Sequence, residues 1–138
     1  MGDPLIYVNI KCHVDAIFDS KYKTAVFDAM KKKITAVMAK NASTYTLDKS
    51  KGTNPVQYDL DVSLKVTKDD KSKPPRIVVN LEVKATKFAT SGAKTMTIKG
   101  GSYYEGPNPA KMDRDAAQAT TDAVEEVMTK KVVPAMTP

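Results

Sequence analysis

Gln57-Tyr58-Asp59-Leu60-Asp61-Val62-Ser63-Leu64-Lys65-Val66-Thr67 alternates without a break between apolar and polar side chains. Successive side chains on a strand point to opposite faces. Tyr58, Leu60, Val62, Leu64 and Val66 therefore form one apolar face, and the six residues between and beside them form a wet one. A sheet with one face to cover and one face in water follows. The neighbouring segments repeat the design and supply two amphipathic helices for the apolar face.

Upstream, Leu5 to Val14 alternates in the same way. Ile6, Val8, Ile10, Cys12 and Val14 share one face, opposite Tyr7, Asn9, Lys11 and His13. Asp15 to Asp19 breaks this pattern, and Asp19 or Ser20 is placed to cap a helix. Val26, Phe27, Met30, Ile34, Val37 and Met38 then recur at three- and four-residue spacing through about Lys40, with Asn41 as terminator. Ser43 to Leu47 reads as a short strand and Asp48 to Pro55 as a loop.

Downstream, Lys68 to Pro75 is charged and carries paired prolines, which suits an exposed hairpin connection. Ile77, Val79, Leu81, Val83 and Ala85 give the next strand its core face, and a turn follows at Ser91-Gly92. Thr95 to Tyr104 is the last strand, where Gly100-Gly101 permits a bulge or a close contact. A final helix starts at Asp113 or Asp115, runs through Ala116, Ala119, Thr120, Ala123 and Val127 to about Lys131, and is ended by Pro134 and Pro138. Its small residues predict close packing on the sheet or on the first helix. The expected fold is one α+β domain over residues 1–138. It is a two-layer sandwich with a mostly antiparallel sheet of four to five strands and both helices on one face.

Composition narrows the function classes. With 138 residues, 41% hydrophobic and 28% charged, the chain can bury one substantial core. No stretch reaches the roughly 18 apolar residues of a membrane span, and the amino terminus lacks the order of a signal peptide. A start at Met1-Gly2 is also compatible with a removed export segment, which leaves periplasm and cytoplasm both open. Ile6 stands where a myristoylation motif wants Ser or Thr. The net charge of +6 invites a nucleic-acid reading, but the lysines are dispersed, Lys68, Lys71 and Lys73 mingle with Asp69 and Asp70, and only Arg76 and Arg114 offer guanidinium groups.

No catalytic, metal or cofactor constellation is legible. Cys12 and His13 are strand neighbours facing opposite ways, and there is no second thiol or histidine to complete a zinc site. Asp59 and Asp61 share a face about 7 Å apart, where cross-strand lysines such as Lys65 and Lys84 can neutralise them. Asp69-Asp70 lacks the glycine and closing Glu of a calcium loop. Gly100 to Gly106 lacks the lysine and the following helix of a phosphate loop. Two surfaces suit a protein partner or self-association. One is an uncovered sheet edge at the first strand or at the short strand containing Tyr45. The other is the segment from Tyr103 and Tyr104 to Pro107 and Pro109, with aromatic area on a restrained backbone.

Tyr58-Asp59-Leu60-Asp61-Val62-Ser63-Leu64, Val78-Val79-Asn80-Leu81-Glu82-Val83, the Gly92 turn, Thr95 to Gly101 and the closing Ala-rich helix together resemble small bacterial envelope domains. These include the amino-terminal domain of TolB, the periplasmic domain of CsgG and penicillin-binding-protein activator lipoproteins. The resemblance implies a non-catalytic module for assembly or partner binding at the cell envelope. It brings no functional residue, because that group has no catalytic motif to match. The alternative is a small nucleic-acid-associated α+β domain whose dispersed lysines contact phosphates weakly and nonspecifically. An enzyme comes last.

Overall fold

The computed structural model describes residues 4–136, so Met1, Gly2 and the expected stop at Pro138 lie outside the described residues. Five strands form one sheet in the order β2-β1-β3-β4-β5. They are β1 (Ile6–Ile17), β2 (Tyr45–Thr46), β3 (Gln57–Asp69), β4 (Arg76–Ala89) and β5 (Gly92–Glu105). Helix α1 (Lys23–Ala39) connects β1 to β2. Helix α2 (Met112–Val127) follows β5 and continues through a π-helical turn, Met128–Val132, into a last helical turn, Val133–Ala135.

The α+β sandwich is the one the alternation implies, its sheet antiparallel along its three longest strands and parallel on the β1 side. β1 runs parallel to both β2 and β3, whereas β3, β4 and β5 form an antiparallel meander. The cause is the placement of α1. A helix between two strands of one sheet returns the chain to its starting end, and a parallel neighbour results.

β3 holds the centre of the sheet. Tyr58, Leu60, Val62, Leu64 and Val66 are all fully buried, and their registry with Val79, Leu81, Val83 and Ala85 of β4 extends the apolar face. α1 seals it with Val26, Met30, Ile34, Val37 and Met38, and α2 with Ala116, Ala119, Ala123, Val124 and Val127. The alanines let α2 lie close to β4 and β5. Lys33 Nζ, 3.2 Å from Glu125, ties the two helices at their rim.

Local details depart from the pattern in readable ways. β1 does not stop at Val14. A bulge at Asp15 absorbs one residue between Val14 and Ala16, and pairing with β3 resumes through Ile17. Asp19 caps the short 3₁₀ turn before α1 by accepting from the Lys21 amide at 3.1 Å. Neither Asp113 nor Asp115 caps α2. Asn108 caps the 3₁₀ turn that leads into it, and Asp115 is buried, accepting the Asn108 amide at 2.7 Å and so clamping the preceding loop. Pro134 does not end the chain's last helix. It sits in the last helical turn, Val133–Ala135, directly after the π-helical turn.

The β3–β4 hairpin is fixed by Asp69, whose carboxylate accepts the Lys71 and Ser72 amides and the Ser72 hydroxyl, the last at 2.6 Å. These bonds, the Ser72 hydroxyl first, hold the Asp69 carboxyl below its ordinary value of 3.8. A carboxyl lowered in the folded state stabilises above its unfolded pKa and loses that contribution as pH falls through the folded value. Asp69→Ala is therefore expected to lower the urea midpoint at pH 7. The difference between variant and parent should shrink as pH falls through the lowered folded value. Equal midpoints at every pH would show that the hairpin does not depend on this carboxylate.

Candidate interaction surface

The face of the sheet away from the helices is open and mixed in charge. Lys11, Lys65, Lys84 and Lys99 interleave with Asp59, Asp61 and Glu82 on adjacent strands. Glu82 lies between Lys84 and Lys99 at 4.0 and 3.9 Å. His13 Nε2 is 2.9 Å from Asp61 Oδ1, but no hydrogen bond reaches that oxygen. A shallow cleft of about 700 Å³ crosses this face over Ser63, Lys65, Asn80 and Lys84. Alternating signs give no continuous positive track, and no aromatic platform stands on its central strands. Among the described residues, no three His, Cys, Asp or Glu side chains gather as metal ligands.

The two sheet edges differ. β5 ends the sheet on one side along its whole length, and its edge is guarded by Lys94 and Lys99. Lys131, in the π-helical turn, donates its ammonium to the Lys99 carbonyl at 3.1 Å. Lysines on an edge oppose the addition of another strand. On the other side β2 pairs only with Ile6 and Tyr7, so β1 has no strand beyond it from Val8 to Ile17.

Beside that free edge a cleft of about 230 Å³ opens between β1 and α1, lined by Ile10, Cys12, Lys31, Ile34, Thr35 and Leu47. Ile10, Cys12 and Val14 point to the helix layer but stay half-buried, because nothing covers their outer flank. Leu47, at the mouth, is 40% exposed. The edge offers unpaired backbone groups together with apolar side-chain area.

The residues of the two anticipated contact surfaces lie at opposite edges of the sheet. Tyr45 is on β2 with its side chain buried, its hydroxyl donating to the Met136 carbonyl at 3.3 Å and its ring edge-on to Tyr58. Burial pushes its phenol above the ordinary value. Tyr103 and Tyr104 belong to β5, since pairing with Ile77 and Val78 carries that strand to Glu105. Tyr104 packs on the core. Tyr103 is 55% exposed and stacks under Arg76, whose Cζ lies 4.5 Å from the ring centre. Arg76 also meets Glu105 at 3.3 Å. Pro107 and Pro109 follow in the connection to α2, so Tyr103 and the prolines lie at the β5 side and Tyr45 at the opposite edge. The cleft at β1 was missed because its existence depends on where β2 stops, and no residue pattern announces that.

Cys12 lies on the core-facing side of β1, as alternation requires, yet its flank opens to the cleft. Burial raises its thiol pKa, outweighing the opposing effect of Lys31. A thiol above its ordinary pKa has less thiolate at neutral pH and reacts slowly. Alkylation at pH 7.5 is expected to be slower in the folded chain than in urea-unfolded chain. Equal rates would show that the thiol is neither screened nor raised.

No protein-family model matches the chain, and no curated protein matches it. Among solved structures the chain is similar to a minor lipoprotein from Acinetobacter baumannii. The two are 10% identical over 92% of this chain and 89% of that one, with a TM-score of 0.49.

Proposed function

We propose that the chain is a non-catalytic protein-binding or assembly module that takes a strand from its partner at the free edge of β1. The supporting observation is the contrast between the edges. One is guarded by Lys94, Lys99 and Lys131, and the other, which carries Lys11 and the Asp15 bulge, is unpaired from Val8 to Ile17 beside an apolar cleft. Added backbone pairing supplies affinity in this mode, and alternate side chains entering the cleft supply selectivity. A bacterial envelope or surface setting accords with the resemblance in element order described above. No helix among the described residues is long and apolar enough to cross a membrane.

An inward-facing charge on the edge tests the reading. Val14→Lys and, separately, Leu47→Asp should abolish capture of binding proteins from envelope extract by the immobilised chain while circular dichroism stays unchanged. Tyr103→Ala should leave capture intact. Capture that survives both edge variants and fails with Tyr103→Ala would move the surface to the Arg76–Tyr103 end of the sheet.

The nucleic-acid alternative is limited by the interleaved charges of the open face. Duplex DNA should bind no tighter than about 10⁻⁶ M at physiological salt, without base preference and with a steep salt dependence. Tight, sequence-selective binding in a fluorescence titration would reverse the ranking.

A further inference from the structure

We infer that the strand taken at the β1 edge is an acidic and apolar one: an extended peptide whose apolar side chains fill two hollows on either side of Leu47 and whose carboxylates meet Lys31 and Lys51. This inference rests on the strand-addition reading and names the chemistry of the partner.

Ile6 donates its amide to the Thr44 carbonyl at 2.9 Å, so its backbone polar groups point to the β2 side of β1. Backbone groups alternate in direction along a strand, and those of Ile10, Cys12 and Val14 therefore point the same way. β2 ends beside Tyr7, and no strand among the described residues reaches these amides and carbonyls. The Asp15 bulge, where the register with β3 shifts, ends the run.

The cleft beside Ile10 and Cys12 does not stand alone. A second hollow, of about 270 Å³, opens between the end of α1 and β2, lined by Met38, Ala42 and Tyr45. Thr35 and Leu47 line both hollows, so the two form one groove with Leu47 as the ridge between them. A peptide laid along β1 from Val14 toward Val8 meets β2 and must step outward over Leu47 into the second hollow. Side chains two residues apart on an extended strand share a face, so one face of the peptide supplies both apolar anchors. An acyl chain would fill the same apolar space, but it would cover the amides and carbonyls of Ile10, Cys12 and Val14 without pairing them, which is unfavourable. A peptide backbone pairs them.

Charge decides the class of peptide. Lys31 lines the first hollow and Lys51 the second, and neither hollow has an acidic residue in its wall. Neither lysine has an ion-pair partner among the described residues; Lys31 makes a cation contact with Phe27, its ammonium 5.6 Å from the ring centre. The acids close by are engaged or set back. Asp48 accepts the Ser50 amide and hydroxyl, fixing the turn that carries Lys51, and Asp28 lines neither hollow. On the open side of β1, Lys11 also lacks an ion pair among the described residues, while Asp61 opposite it lies against His13. An apolar groove with a lysine in each half and no acid in its wall favours carboxylates and repels ammonium groups.

The test uses the intact chain and labelled peptides about nine residues long, enough to span the groove. One alternates Glu with Leu, one has Lys in place of Glu, and one has Ser in place of Leu. Fluorescence anisotropy should show binding of the Glu–Leu peptide that weakens as salt rises, with the other two bound at least about tenfold more weakly. Methylating every second peptide amide should abolish binding in one phase of the alternation and spare it in the other. Loss on methylating the Leu amides means an antiparallel strand, and loss on methylating the Glu amides a parallel one. The double variant Lys31→Glu with Lys51→Glu alters only exposed side chains and should prefer the Lys–Leu peptide, with the circular dichroism spectrum unchanged.

Equal affinity for the Glu–Leu and Lys–Leu peptides, no inversion in the double variant, or no binding of the Glu–Leu peptide at millimolar concentration would overturn the acidic partner. Dodecanoate that binds and displaces the peptide, with methylation tolerated in both phases, would give the groove to an acyl chain. A concentration-dependent dimer that shuts the peptide out would give it to a second copy. Each of these results sinks the inference, and capture from envelope extract then separates it from the reading beneath it. If Val14→Lys still abolishes capture, strand addition stands with a partner of other chemistry; if capture persists, both readings fall.

Discussion

Leu64→Ala is expected to destabilise the chain by about 3–4 kcal/mol, a large part of the stability of an ordinary domain. Leu64 has no exposed surface and stands on the central strand, in register with Val14 of β1 and Leu81 of β4. Removing three carbons there forfeits their burial and leaves a void that a five-stranded sheet held on both sides cannot collapse to fill. Ser63→Ala, one residue away on the open face, should change stability by no more than about 0.5 kcal/mol. Urea denaturation followed by far-UV circular dichroism measures both. A Leu64→Ala loss below about 1 kcal/mol, or comparable losses at the two positions, would mean that the alternation does not separate a sealed face from a wet one.

That alternation was legible because it depends on stereochemistry alone: every second side chain of β3 must enter the same layer. The helices were legible for the same reason, and their apolar stripes are the residues that cover the sheet. Which strands are neighbours was less legible, since alternation says nothing about partners. The parallel pairing of β1 with β3 comes from the length and placement of α1, not from any residue in either strand.

Boundaries failed where tertiary contacts overrode local composition. Asp15 looks like a break and is a bulge, because Ala16 and Ile17 still find Lys65 and Val66 on β3. The last strand, expected over Thr95 to Tyr104, begins earlier, at Gly92, because the β4–β5 turn is tight and Phe88 still pairs with Ala93. Asp115 looks like a cap and is instead a buried acceptor for the Asn108 amide, a role set by a loop that folds back on the helix. The free edge of β1 was named among the sequence-derived candidates. Its cleft, and the lysine guard on the opposite edge, needed the positions of elements distant in the chain, Lys131 and Lys99 being 32 residues apart.

Gly101→Val is expected to cost about 3 kcal/mol, for a reason unrelated to backbone freedom. A Cβ at Gly101 would run into the Val79 carbonyl oxygen and lie 3.3 Å from Asn80 Oδ1. Val79 is held by registry with Val66 on β3 and Ser102 on β5, so the obstacle is backbone that cannot swing aside. Relief requires β5 to move away from β4, which weakens the hairpin pairing on either side. Gly92 offers the contrast. It has φ +127° and nothing within 4 Å of the added carbon, so Gly92→Ala meets conformational strain alone, about 1–2 kcal/mol. Thr97→Val, exposed on the same face of β5, should fall within about 0.5 kcal/mol of the parent. The ordering Gly101→Val, then Gly92→Ala, then Thr97→Val is read from urea midpoints, and a Gly101→Val loss no larger than that of Gly92→Ala would show that the two strands are not in close contact there. Two strands separate β5 from β1, so a Gly101→Val chain that remains folded should keep its association at the β1 edge unchanged. Loss of stability and loss of assembly are thus separable, one written into the glycine on the guarded edge and the other into the apolar residues of the free one.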